Sequence, residues 1–377
     1  MKNILLTTTA LVAFAGTAFA GGHSANDGVS FSGSATLGFN SDSDDGALGD
    51  NDGFYWDANV AVAMSKALDM GITAGASFDF DVADMNNGVN LSAGGYVLSL
   101  TSDTASLFYG DTAFAAETAW SGVGDMEADQ FSEADGETVL RGEATMAGVT
   151  AMLSYAVANA DGVTVTTGTM GDASVEQLSL GMAATFGNFN VAAAYQAASE
   201  TGTWGSAANG DYSDAEVMAV SASTTFSGAT VTVGYASNVT AETSSTGVKV
   251  SYPMGDITAT GYYVMEDSDA GEVDDNMGIN VAYASGAITA SLDYQDDQGV
   301  SKTAIDGSYD LGNGMNIFAG MYMEDLIENE FYVAGSYDLG GGASVLVAYA
   351  DAENDTDDEV GANAYQRGTT VEVSFTF

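Results

Sequence analysis

The chain has no cysteine, one histidine, one proline and only 6 Lys+Arg against 53 Asp+Glu in 377 residues. Without thiols, disulfide frameworks, thiol nucleophiles and thiolate metal sites are excluded. A formal net charge of -47 repels a phosphate backbone, so nucleic acid is excluded as a partner. His23 falls in the amino-terminal tail, which leaves no partner for a Ser-His nucleophile or a His-based metal centre. The carboxylates are too numerous to single out a hydrolytic pair, and no enzyme is expected. After residue 20 no apolar run approaches the ~20 residues of a spanning helix.

What is present is 46% hydrophobic residues, too many for a disordered acidic tail. Abundant Gly (47 residues) with Thr, Tyr and Val favours strands joined by tight turns. Residues 1–20 carry Lys2, an apolar stretch over 4–19 and the small-x-small ending Ala18-Phe19-Ala20. These mark a secretory signal peptide cleaved after Ala20. Residues 21–28 then form a short tail, and 29–377 form one β domain.

Strict period-two alternation runs through that domain and places successive side chains on opposite faces of a strand. Over 29–39, Val29, Phe31, Ala35, Leu37 and Phe39 alternate with Ser30, Ser32, Ser34 and Thr36. Over 54–64, Phe54, Trp56, Val60, Val62 and Met64 alternate with Tyr55, Asp57 and Asn59, and similar segments recur to the end of the chain. They run about ten residues, the length of a tilted strand crossing a bilayer. Connections alternate between short Gly-containing turns and long acidic loops. Phe186, Phe226, Tyr252, Tyr283, Tyr309 and Tyr337 precede the short turns, and Tyr195, Tyr235, Tyr263, Tyr294 and Tyr349 follow them. This is the pattern of two aromatic girdles about an apolar belt. No second layer is available to cover the apolar face, so lipid must. Open edges are not tolerated in lipid, which closes the sheet into an up-and-down transmembrane antiparallel β-barrel. Gly307-Ser308-Tyr309-Asp310-Leu311-Gly312 returns as Gly335-Ser336-Tyr337-Asp338-Leu339-Gly340. The repeat is therefore a hairpin, and counting hairpins gives up to about twenty strands.

The stretch from Ser336 through Asp338-Leu339-Gly340-Gly341-Gly342 to Val345, the turn Thr185-Phe186-Gly187-Asn188-Phe189 and the terminal Phe377 resemble the general porins of alphaproteobacterial, Rhodobacter-type outer membranes. The resemblance implies a homotrimer of barrels, typically sixteen-stranded. Each would enclose a water-filled pore narrowed by the third long loop folding inward. It also implies a Gram-negative outer membrane with its lipid and lipopolysaccharide as surroundings. Phe377, with Phe375 and Val373 on one face, resembles the terminal signal read by outer-membrane assembly machinery.

The longest internal loop, 111–137, is then the constriction loop. It carries Asp111, Glu117, Asp125, Glu127, Asp129, Glu133, Asp135 and Glu137 and no cation. Arg141 and Glu143 fall on the lumen phase of the next strand. Asp57, Asp79, Asp81, Lys249 and Lys302 are pore-wall candidates in polar phase. With so few cations the lumen potential is strongly negative, which predicts passive passage of small hydrophilic solutes and ions with cations preferred. No cofactor is expected. Structural Ca²⁺ is an option at the acidic clusters Asp42, Asp44, Asp45, Asp50, Asp52 and Asp355, Asp357, Asp358, Glu359, because hard oxygens suit it. The alternative function is a secreted, acidic, calcium-binding adhesin or surface-layer protein.

Overall fold

The computed structural model describes residues 27–41, 53–84, 88–133, 138–158, 177–198, 213–325, 327–352 and 359–377. The expected signal peptide lies outside these, as do all the acidic-cluster residues named for calcium except Glu359. The first half of the chain forms β1 (Gly28–Asn40), β2 (Gly53–Ala67), β3 (Thr73–Asp84), β4 (Gly88–Thr101), β5 (Ala105–Gly110), β6 (Thr138–Met146), β7 (Val149–Ala158), β8 (Gln177–Phe186), β9 (Phe189–Gln196), β10 (Val217–Phe226) and β11 (Ala229–Asn238). The second half forms β12 (Thr243–Met254), β13 (Ile257–Ser268), β14 (Asn276–Ser285), β15 (Ile288–Asp297), β16 (Val300–Gly312), β17 (Met315–Glu324), β18 (Glu330–Gly340), β19 (Ala343–Asp351), β20 (Glu359–Val360), β21 (Tyr365–Gln366) and β22 (Gly368–Thr376). Between β5 and β6 lies one short helix, α1 (Ala115–Ala119).

Twenty of these strands make a single antiparallel sheet in which β22 pairs with both β19 and β1, so the sheet closes. The number is that of the hairpin count rather than the sixteen implied by the resemblance. Register explains why the closure is specific. Leu37 lies opposite Trp56 on one side and Val373 on the other, and Phe39 lies opposite Phe54 and Val371. A one-residue slip would turn this whole apolar set inward. Large apolar side chains stand exposed on the outward phase, including Phe31, Leu37, Phe186, Phe226, Ile279, Leu292 and Val333. Of the two aromatic rows, Phe226, Tyr252, Tyr309, Tyr235, Tyr263 and Tyr349 are among those exposed.

The turns of one rim are tight. In the β6–β7 hairpin Ala147 and Gly148 both take positive φ, 52° and 81°, the twist that suits a two-residue hairpin. The repeated sequence gives a repeated device. In β16 and β18 the backbone N–H of Gly312 and Gly340 donates to the carboxylate two residues back, Asp310 and Asp338, each at 2.7 Å. A register shift falls at the same place in both strands. The opposite rim bears the longer connections, and the pair β20–β21 is a small ribbon within the last of them.

Candidate functional site

The connection after β5 turns back into the barrel and lies along the inner wall from β7 to β15. The wall there is shaped to receive it. One lateral row of directly paired inward residues reads Gly181, Ala194, Ala219, Ala236 and Ser245 across β8 to β12. These small residues leave a shelf. A methyl group at Gly181 would run into the Ala115 carbonyl, and one at Gly247 would stand 2.6 Å from the Val123 carbonyl oxygen. Onto the shelf pack Ala116, Val123, Met126, Ala128 and Phe131 of the loop, with Trp120 and Tyr262 at the margin. This is the largest buried apolar cluster of the described residues, and it forms where the loop meets the barrel wall.

Polar contacts then index the loop. The first N–H groups of α1 have no partner within the helix, and Phe114 at the N-cap offers no side-chain oxygen. The wall supplies them. Ala115 N–H donates to Ser154 Oγ at 2.9 Å and Ala116 N–H to Ser179 Oγ at 2.8 Å. Further along, Ala128 N–H donates to Ser245 Oγ at 2.9 Å and Ser132 N–H to Gln196 Oε1 at 2.7 Å. Asn276 Nδ2 donates to the Asp125 carbonyl at 3.0 Å. Ser154, Ser179, Gln196, Ser245 and Asn276 are all fully buried. None of the five stood out in the sequence, where each is one polar-phase Ser, Gln or Asn among dozens.

The loop acids are not equivalent. The Glu117 carboxylate accepts the Phe114 N–H at 3.1 Å and so completes the start of α1. Asp111 stands at the loop entrance, its N–H donating to the Tyr96 carbonyl at 2.8 Å. Asp129 accepts the Trp120 indole N–H at 2.8 Å. Burial pushes the Asp129 carboxyl up to about 6, against the opposing effect of the Trp120 bond. Asp125 accepts from Gln295. Glu127 accepts from Asn276 Nδ2 at 3.3 Å. Oxygen atoms of Asp125, Glu127 and Asp297 all lie within 4.8 Å of one another. Burial first, and then the neighbouring carboxylates, raise both Asp125 and Glu127 above the ordinary range. Such a group could hold a hard cation, although Lys302 already contributes an ammonium, 2.6 Å from Asp297. Glu133 ends the described part of the loop, and Asp135 and Glu137 lie outside the described residues.

Arg141 braces the loop from the inner wall. Its Nη1 donates to the Ala113 carbonyl and to Thr118 Oγ1, both at 2.7 Å. Its Nε stands 3.0 Å from Glu143, and its guanidinium lies over the Phe108 ring. Asp57, Asp79 and Asp81 are solvent-exposed on the inward phase of β2 and β3. Tyr55 beside them donates to Glu372 at 2.7 Å. Lys249 is inward on β12, opposite Thr232. A second segment also lies against the inner wall. The β20–β21 ribbon folds onto β18 and β19, where Tyr365 stacks on Tyr332 at 4.5 Å and Val360 joins Ala334, Ala348 and Ala350. Tyr332 in turn donates to Asp306 at 2.7 Å. Its sequence signal was weak because Val360 and Tyr365 sit in a loop dominated by acids.

At the seam, Phe377 N–H donates to the Gly33 carbonyl at 2.9 Å, and the Phe375 and Phe377 rings stack at 6.5 Å.

A search of curated proteins gave no match. Among solved structures, a doubly substituted Rh. blastica porin is 14% identical with a TM-score of 0.41, covering 93% of this chain and 100% of its own. A triply substituted Rh. blastica porin is likewise 14% identical, at a TM-score of 0.42 and the same coverage. At these scores the twenty-strand closure rests on this chain's own pairing. The sequence profile of the Gram-negative porins matches residues 7–219 and 197–357, nearly the whole chain, and the protein therefore belongs to the Gram-negative porin family.

Proposed function

We propose that this porin forms a cation-preferring, water-filled outer-membrane channel for passive diffusion of ions and small hydrophilic solutes, and that the loop 111–137 is its filter. The observation that carries the proposal is the cluster of Asp125, Glu127 and Asp297 inside the barrel, three carboxylates within 4.8 Å with one ammonium beside them. A further inward cation beside the loop, Arg141, is committed to Glu143 and to the loop backbone. A water-filled constriction with low-dielectric walls and this charge raises the local cation concentration and lowers that of anions. The exposed outward apolar phase suits lipid and would be a liability on a secreted adhesin. The same reading includes a homotrimer, lipopolysaccharide at the outer rim and recognition of the terminal Phe377 by assembly machinery.

The test is the reversal potential of the purified protein in a KCl gradient across a planar bilayer. Cation preference is expected. It should shrink in the combined variant Glu117→Gln, Asp125→Asn, Glu127→Gln and Asp129→Asn. An unchanged potential in that variant, with selectivity lost on neutralising Asp57, Asp79, Asp81 and Glu143, would move the filter from loop to wall. Anion preference in the unmodified protein would overturn the electrostatic reading.

A further inference from the structure

Between the loop and the short-turn rim the inner wall leaves a pocket of about 390 Å³, roofed by Ser121 and Gly122. Among the described residues its lining contains no Asp or Glu, in a chain with 53 of them. It does contain Lys249. Lys66, Arg141 and Lys302 each hold a carboxylate. Lys249 has no ion pair and no side-chain hydrogen bond among the described residues.

Register adds order to this composition. Thr185 is directly opposite Asn190, Asn190 opposite Ser223, Ser223 opposite Thr232, and Thr232 opposite Lys249. These five side chains form one lateral row across β8 to β12, spaced by the ~4.8 Å between strands. Thr185 Oγ1 donates to Asn190 Oδ1 at 2.9 Å, which fixes the amide and leaves Asn190 Nδ2 without a partner among the described residues. Ser223 and Thr232 make no side-chain hydrogen bond among the described residues. The row therefore presents an amide donor, two hydroxyls and a terminal ammonium to solvent, with no acid among the described lining residues to neutralise the charge.

We infer that this pocket is a binding site for small polyhydroxylated carboxylates of the sugar-acid class, with Lys249 holding the carboxylate and Asn190, Ser223 and Thr232 the hydroxyls. A neutral polyol lacks the group that an unpaired ammonium favours. A simple inorganic anion lacks the hydroxyls that the row can bond. An ammonium that donates to a carboxylate makes the stronger, charge-assisted kind of hydrogen bond, so Lys249 carries most of the discrimination. The pocket lies on the lumen side of the wall, and the inference rests on the channel reading only for the route by which a solute arrives.

The probe is gluconate, with sorbitol as the uncharged control. Binding is measured by calorimetry on the folded protein in detergent, which needs no conductance. The K⁺ current of the bilayer-inserted channel is recorded in parallel, in 1 M KCl to screen long-range repulsion. Gluconate is expected to bind saturably and to reduce the current, and sorbitol to do neither. Lys249→Gln should weaken gluconate binding about tenfold, or about 1.4 kcal/mol, and Lys249→Arg should retain it. Gluconate affinity unchanged in Lys249→Gln, equal binding of sorbitol, or no heat with the unmodified protein would each overturn the site. Absence of K⁺ current alongside normal gluconate heat would overturn the channel reading and leave the site supported.

Discussion

The loop's hold on the wall is the feature most open to a quantitative test. Ser154→Ala with Ser179→Ala removes both acceptors of the first α1 amides, at 2.9 and 2.8 Å. Each buried donor left without a partner costs about 1–3 kcal/mol, so the pair together weakens the anchored state by about 2–6 kcal/mol. The barrel ladder is spared, because Ser154 and Ser179 pair through their backbones and alanine keeps that pairing. The cost therefore falls on the equilibrium between an anchored and a released α1. Downstream anchors at Ser245, Gln196 and Asn276 still hold the far half of the loop, so release is local. Even the lower bound of about 2 kcal/mol corresponds to roughly thirtyfold faster exchange of the Ala115 and Ala116 amides, read by hydrogen exchange with mass spectrometry. Single-channel current noise should rise with it, since Glu117 moves with the helix. Unchanged protection of these amides in the folded double variant would refute the wall-capping argument. An equal loss in global unfolding stability would show that loop and barrel are one cooperative unit.

The two faces of β15 give a second test. Leu292 is exposed on the outward phase, where an arginine near midplane costs about 2–4 kcal/mol, whereas Ser291 is paired with Asp306 on the lumen phase and should accept arginine almost freely; equal destabilisation in a folding titration would invert the face assignment. Deleting Phe377 removes its two backbone bonds with Gly33 and its stack on Phe375, so folded protein in the membrane fraction should fall, and undiminished levels would remove its role at the seam. Cation preference should also depend on pH. The Asp129 carboxyl, raised to about 6 by burial, is neutral below that pH and charged above it, so preference should weaken as pH falls through about 6 and this step should flatten in Asp129→Asn. The folded state holds this proton more tightly than the unfolded chain does. The same group therefore contributes stability at low pH that is lost as pH rises from about 4 through about 6, and the opposite slope, isolated by comparison with Asp129→Asn, would contradict the burial argument.

Strand existence, the two faces, the alternation of short and long connections and the hairpin count were legible because each is a local property. Period two is written in adjacent residues. Gly-containing turns mark one rim, and the duplicated Gly307–Gly312 and Gly335–Gly340 segments fold into the same bulged strand ends. The inward phase of Asp57, Asp79, Asp81, Lys249 and Lys302 followed from the same parity, as did the position of the 111–137 loop after β5. What each of these charges does was not legible. Arg141 reads from sequence as a counter-charge, and only the fold shows it bonded to Ala113 and Thr118.

The separation has a physical cause. Alternation, turn chemistry and the need to leave no open edge in lipid act over a few residues or over the sheet as a whole, and the sequence alone carries them. The loop's resting place depends on which strands, far apart in the chain, bring Gly181, Ala194, Ala219, Ala236 and Ser245 into one lateral row. Asp125 meets Asp297, and Ala115 meets Ser154, only through the pairing and curvature of the sheet. Strand pairing and sheet curvature convert separations of 39 to more than 100 positions into contact distances, and no local pattern encodes such a meeting.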